Sequence, residues 1–271
     1  MREGLAKSFT LLSLCAAGAL AAEPPADHRN FVACPIVRDT STVPCWLAEY
    51  EGELYFLTIQ TDVSAPVNPP WLGHRVLVEG VVSDKPRVCG GIPLEPVTLS
   101  VLPELDPSCN TMLPAEDRYE LPFEPPRPPG PSAGRLAFGD PVMRPEVKAV
   151  EPERTFTLRY DFDGMVVFRH AQSLQQIFEY VKQTGAKHIE ITGFRAASLL
   201  SNGTVMAEDE TIGRRRAEQV AELLRGAGLT DVHYEVRWKD EAALANGTDD
   251  ATRRKAEVVV RLQPPKNRSP N

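Results

Sequence analysis

Apolar residues in the second half of the chain recur with two different periods. Phe156, Leu158, Tyr160 and Phe162 alternate with polar neighbours, the pattern of a strand with one buried face. Leu174, Ile177, Phe178 and Val181 then recur at helical spacing, which predicts an amphipathic helix ending near Gly185. The run His188-Ile189-Glu190-Ile191-Thr192-Gly193 reads as a second strand stopped by glycine. A second helix is expected from about Thr211 to Arg225, with Ile212, Val220, Leu223 and Leu224 inward and Gly226 and Gly228 as its stop. Val232, Tyr234, Val236 and Trp238 alternate as a third strand, and Lys255 to Leu262 makes a fourth. The expected order is β-α-β-α-β-β, a two-layer sandwich of the α+β class with its helices on one face.

Residues 23–119 read differently. Leu54 to Ile59, Arg75 to Val82 and Val97 to Leu102 are β-branched or aromatic runs separated by proline and glycine, which predicts a small all-β domain. A sandwich and a barrel both fit, and the strand from Gly73 to Val82 suggests an OB-like arrangement. Trp46, Trp71 and Tyr50 are candidates for a ligand groove, although packing into the core accounts for them more simply. From 120 to 152 the composition changes around Pro125-Pro126-Arg127-Pro128-Pro129-Gly130-Pro131. A stretch so poor in backbone donors favours extended polyproline II, and it reads as a semi-rigid linker. The sandwich then occupies 153–263, and 264–271 is expected to be a disordered tail.

The first 22 residues have the form of a secretory leader. Arg2 and Lys7 precede an apolar run from Phe9 to Leu20, and small residues lead to Glu23. Cleavage is expected after Ala21 or Ala22. Lipidation at Cys15 is disfavoured because Leu14 stands where a small residue would be needed. No later segment is apolar enough to cross a bilayer. In an exported chain the remaining Cys34, Cys45, Cys89 and Cys109 imply two disulfides. Three pairings are possible, and the local pairs Cys34 with Cys45 and Cys89 with Cys109 are favoured. Because the second half contains no cysteine, the two halves are expected to fold independently. The formal net charge of −7, with no basic face, argues against nucleic acid as a partner. Neither metal nor cofactor is expected, since there is no Cys-x-x-Cys and the five histidines are scattered.

Four signatures in the second half, in the right order, resemble the OmpA-like family. Tyr160-Asp161-Phe162-Asp163 is similar to the family's opening strand with its Phe-Asp turn, and Ile191-Thr192-Gly193-Phe194 to its strand ending in Gly-Tyr or Gly-Phe. Ile212-Gly213-Arg214-Arg215-Arg216-Ala217-Glu218-Gln219-Val220 resembles its Leu-Ser-x-x-Arg-Ala-x-x-Val helix, and Arg254-Lys255-Ala256-Glu257-Val258 its closing strand. The resemblance covers roughly residues 155–262. It implies a non-enzymatic envelope protein of a Gram-negative bacterium, in the periplasm and associated with the outer membrane or the wall. The partner it implies is peptidoglycan, bound at the zwitterionic end of diaminopimelate.

Arg216 then corresponds to the ligand-binding arginine, whose guanidinium suits a carboxylate through two parallel charge-assisted bonds. Phe194 and Arg254 are the other positions expected at the cleft. For Arg254 a surface ion pair is an equal alternative. The family's aspartate is absent, because Gly193-Phe194-Arg195 is followed by Ala196. The family's asparagine ahead of the helix is replaced by Asp209, flanked by Glu208 and Glu210. One of these carboxylates is a candidate to take over the ligand ammonium; the other reading is that they favour the helix start through its dipole. Asp161 and Asp163 read as solvated residues near a turn. Catalysis is not expected, since no nucleophile, metalloprotease or phosphate-loop motif is present. Three readings remain open: peptidoglycan attachment, favoured by Arg216; a protein-interaction module serving other envelope proteins on a scaffold whose wall site has decayed, favoured by Ala196; and a small-ligand binder in the N-terminal β domain, with the OmpA-like half as its anchor.

Overall fold

A computed structural model describes residues 25–60, 69–122, 152–165 and 170–262. The expected leader, most of the Pro-rich linker and the tail lie outside these residues. Twelve strands and three helices are present among them, in two sheets.

The N-terminal half is all-β. Its strands are β1 (His28–Ala33), β2 (Pro35–Thr40), β3 (Cys45–Tyr50), β4 (Glu53–Ile59), β5 (His74–Val82), β6 (Ile92–Leu105) and β7 (Met112–Glu116). They form one sheet in the order β1-β5-β6-β4-β3-β2-β7. Only Cys34 separates β1 from β2, yet β1 pairs antiparallel with β5 and β2 pairs antiparallel with β3. One bent stretch of chain therefore serves two distant positions in the strand order, and the sheet curls around a core that includes Phe31, Trp46, Tyr55, Val76, Val78 and Leu94. The parallel pairing of β4 with β6 needs Gly91, where an added Cβ would stand 2.6 Å from the Phe56 nitrogen.

Trp46 lies in this core and donates its indole N–H to Gln60 at 2.9 Å, while Tyr50 stacks on Phe31 with ring centres 4.7 Å apart. Trp71 is exposed. The three do not converge on a groove.

Both disulfides fall in this half, but the local pairing favoured by sequence is wrong. The bonds are Cys34–Cys109 and Cys45–Cys89, spanning 75 and 44 residues. The reason lies in the strand order. Parallel pairing of β2 with β7 carries Cys109 to the β1–β2 bend, and Cys89, ahead of β6, falls beside the start of β3. Loops of this length make each cross-link worth about 4 kcal/mol in the chain-entropy view.

The C-terminal half contains β8 (Glu153–Arg159), α1 (Ala171–Thr184), β9 (His188–Leu199), β10 (Val205–Ala207), α2 (Ile212–Gly226), β11 (His233–Ala243), the short α3 (Asp250–Arg253) and β12 (Lys255–Arg261). The expected β-α-β-α-β-β order is present, with β10 and α3 added. In the sheet β12 lies between β8 and β9, antiparallel to both, and β11 runs parallel to β9. Ile177 and Val181 of α1, and Val220 and Leu224 of α2, share one core with Ile189, Ile191 and Val258 of the strands. Leu223, expected inward, is exposed.

The expectation of two independent halves needs correction, because a buried interface joins them. Leu77 packs with Phe162 and Leu200. The Asn30 amide donates to the Leu199 and Gly247 carbonyls at 3.0 and 2.7 Å, and the Phe162 N–H donates to the Ser100 hydroxyl at 2.9 Å. At the centre, fully buried Arg254 forms a two-pronged ion pair with Glu79 of β5, with Ser198 bonded to both. A buried pair of this kind need not be worth more than a good apolar contact, but removing one partner strands the other charge and costs about 3–5 kcal/mol. Glu79→Ala should therefore lower the stability of both halves together, as a single calorimetric transition at lower temperature. Two separate transitions, with the C-terminal one unmoved, would contradict the coupling.

Candidate functional site

The site begins with a close backbone approach. At Gly193 on β9, an added Cβ would stand 1.9 Å from the Gly213 carbonyl oxygen of α2, so no side chain fits and the helix start lies directly on the strand. Three residues beyond Gly213, Arg216 is carried beneath β9, while its neighbours Arg214 and Arg215 face solvent.

The Arg216 side chain is fully buried, and its five N–H groups are all engaged. Nε donates to the Gly164 carbonyl at 2.9 Å, Nη1 to the Phe194 carbonyl at 3.0 Å, and Nη2 to the Asp161 carbonyl at 3.1 Å. The two remaining N–H groups meet the carboxylate of Glu208, at 3.1 Å to Oε2 and 2.6 Å to Oε1. The guanidinium also sits over the Tyr160 ring, 4.6 Å from its centre. Burial holds the Tyr160 phenol well above its usual titration range.

Glu208 is the residue whose position could not be read from sequence. It follows β10 and turns inward, while Asp209, Glu210 and Thr211 stay exposed. Besides Arg216, its carboxylate accepts the Asp163 N–H at Oε1 and the Ala196 N–H at Oε2, both at 2.9 Å. Four N–H donors from three separate segments thus converge on one carboxylate. The arrangement is a carboxylate seat, and a side chain of the chain itself fills it.

The other expected site residues divide. Phe194 is at the seat, but through its backbone carbonyl; its ring lies against Lys255, with Nζ 5.0 Å from the ring centre. Ala196 contributes its N–H. Asp209 lies at the mouth, where its carboxylate accepts the Thr211 N–H at 2.8 Å and its own N–H donates to the Asp163 carboxylate at 2.7 Å. Arg254 is not brought to the seat: it is held in the interface by Glu79. In the sequence Glu208 stands only as one of three adjacent acids that could meet a ligand ammonium or favour the helix start, and nothing there marks it as the partner of Arg216.

Asp163 connects the seat with open space. With Met206 it lines a groove of about 690 Å³ between the two halves, whose other wall includes Val32, Arg75 and residues 102–106. Asp163 holds a left-handed backbone conformation, with φ of 51°. Desolvation raises its carboxyl above the ordinary value of 3.8; the bond from the Asp209 N–H opposes the shift, and the charge of Glu208 adds to it. Cys34, Asp106 and Cys109 are close enough together to consider a metal, but both sulfurs are spent in a disulfide.

No family model and no curated protein matches the chain. Solved structures resemble part of it, among them a cell wall anchor and a MotB-like protein. The cell wall anchor of the T6SS from Pseudomonas aeruginosa is similar at 21% identity, over 41% of this chain and 82% of that one, with a TM-score of 0.31. A MotB-like protein from Desulfovibrio vulgaris is similar at 15% identity, over 41% of this chain and 76% of that one, with a TM-score of 0.32.

The raised Asp163 carboxyl has a consequence for stability. A carboxyl that binds its proton more tightly in the folded state penalises the ionised folded protein, and the penalty fades as pH falls from the raised value towards 3.8. Asp163→Asn keeps the acceptor for the Asp209 N–H and suits the left-handed backbone. It should melt above wild type near pH 7, with the gap closing as pH falls through that window. A gap that stays constant with pH would show that the carboxyl titrates normally.

Proposed function

We propose that this chain is a non-enzymatic, exported cell-envelope protein that attaches noncovalently to peptidoglycan through its C-terminal half. The docking group is the carboxylate of diaminopimelate in the stem peptide, received at the Arg216 seat. The observation that carries this reading is the convergence of a guanidinium fork and two backbone N–H groups on one carboxylate position. Such charge-assisted, bidentate donors are what a free carboxylate requires. Asp163 and Asp209 stand side by side at the mouth and supply the negative charge that the ligand ammonium needs, in place of the acid missing at Ala196. In this reading Arg254 contributes by joining the halves.

The two disulfides fit an oxidising compartment, and among the described residues no helix is long and apolar enough to cross a membrane. We place the protein in the periplasm of a Gram-negative bacterium, at the outer membrane or the wall. The bent first strand and the strand order of the N-terminal half support an OB-like barrel.

A second reading has its own support. Glu208 already fills the seat and Glu79 already holds Arg254, which favours a protein-interaction module on a wall-binding scaffold.

A pull-down on purified peptidoglycan sacculi separates the two. Wild type should be retained and released by free diaminopimelic acid. Arg216→Lys, which keeps the charge but loses the fork, should be retained at least several-fold less while remaining folded by circular dichroism. If neither wild type nor a Glu208→Ala variant is retained, the protein-interaction reading stands instead.

A further inference from the structure

The four donors around Glu208 do not depend on Glu208 for their placement. Three backbone carbonyls, those of Gly164, Phe194 and Asp161, hold the Arg216 guanidinium from the other side. The Ala196 N–H belongs to β9, and the Asp163 N–H belongs to a turn closed by the bond from the Gly164 N–H to the Asp161 carbonyl at 2.9 Å. The Glu208 backbone is likewise pinned, its N–H to the Ala196 carbonyl at 3.0 Å and its carbonyl to Arg195 Nε at 2.7 Å. Only the side chain beyond Cβ is exchangeable. Its exit is close at hand, since Asp163, one of the four donors, and Met206, two residues before Glu208, both line the interdomain groove.

We infer that Glu208 is a resident internal ligand: it plugs a preformed carboxylate-binding seat, and the seat accepts a free carboxylate from the groove when the Glu208 side chain is withdrawn. This deepens the peptidoglycan reading by making Glu208 the residue that sets how available the site is. A ligand carboxylate must displace an intramolecular one that costs no translational entropy to hold, so affinity of the wild-type chain is lowered by the fraction of time the plug is in place. The plug also protects Arg216, whose buried charge would otherwise lack two of its hydrogen bonds.

Truncation of Glu208 to alanine removes a methylene and a carboxylate, the equivalent of one acetate ion. The test is therefore a thermal titration of the mature full-length Glu208→Ala protein with sodium acetate, against sodium chloride at equal ionic strength and against neutral acetamide. Acetate alone should raise the Tm saturably by several degrees, and wild type should not respond. If the variant is largely unfolded, the same titration followed by circular dichroism should show acetate, but not acetamide, driving refolding. A variant that shows no acetate-specific response in either assay makes the Glu208–Arg216 pair purely structural and overturns the inference.

Sacculi pull-downs of both proteins keep the two claims separate. Retention several-fold higher for Glu208→Ala supports both. A saturable acetate response with no retention of either protein upholds the plug and overturns the wall reading. Equal retention without an acetate response overturns the plug and leaves the wall reading standing.

Discussion

A buried guanidinium carries five N–H groups that favour acceptors, and the site of this protein is organised by the saturation of all five at Arg216. Gly193 and Gly213 allow the helix to lie on the strand, which brings the arginine under the sheet. The turn after β8 supplies two carbonyls and β9 supplies a third. Three neutral carbonyls leave a positive charge uncompensated, and burying it in that state would be prohibitive. Glu208 turns inward to neutralise it, although every other residue from 209 to 211 stays in solvent. What the charge requires for burial and what a carboxylate ligand would require for binding are the same set of donors.

The second fully buried arginine, Arg254, is also neutralised by a carboxylate, but its Nε–H finds no acceptor among the described residues. Its carboxylate comes from Glu79 on the N-terminal sheet, so its neutralisation is also the bond between the halves. Around it Asn30 bonds to carbonyls on the C-terminal half, and Phe162 and Leu200 pack against Leu77. The groove that reaches Asp163 exists because the two halves meet there. The N-terminal domain thus forms one wall of the approach to the seat.

Periodicity alone located most of the C-terminal elements, because each buries one face and its apolar spacing follows directly. It missed β10, which is three residues long, and α3, which is four. In the N-terminal half the three most β-branched runs, within β4, β5 and β6, are legible, while β1, β2, β3 and β7 are not, and the joining of the two ends of the sheet depends on β1 and β2. The disulfides followed strand order rather than loop length, and local spacing carries no information about strand order. At the site, Arg216 was distinguishable from Arg214 and Arg215 by its place before Ala217. The roles of Glu208 and Glu79 were not distinguishable, because a buried ion pair joins residues far apart in sequence that read individually as surface charges. The resemblance to a family pointed to Arg254 as a cleft residue; the distant carboxylate at position 79 decided where it went.

The Arg216 guanidinium is enclosed and saturated by the chain's own acceptors, with Glu208 among them. Side-chain NMR of protein carrying nitrogen-15 in its arginines tests this directly. The Nε–H of Arg216 should exchange slowly with solvent and its two Nη groups should give separate resonances, since each is held by its own carbonyl and its own carboxylate oxygen. A single averaged Nη resonance with rapid solvent exchange would show an arginine open to water and would contradict it.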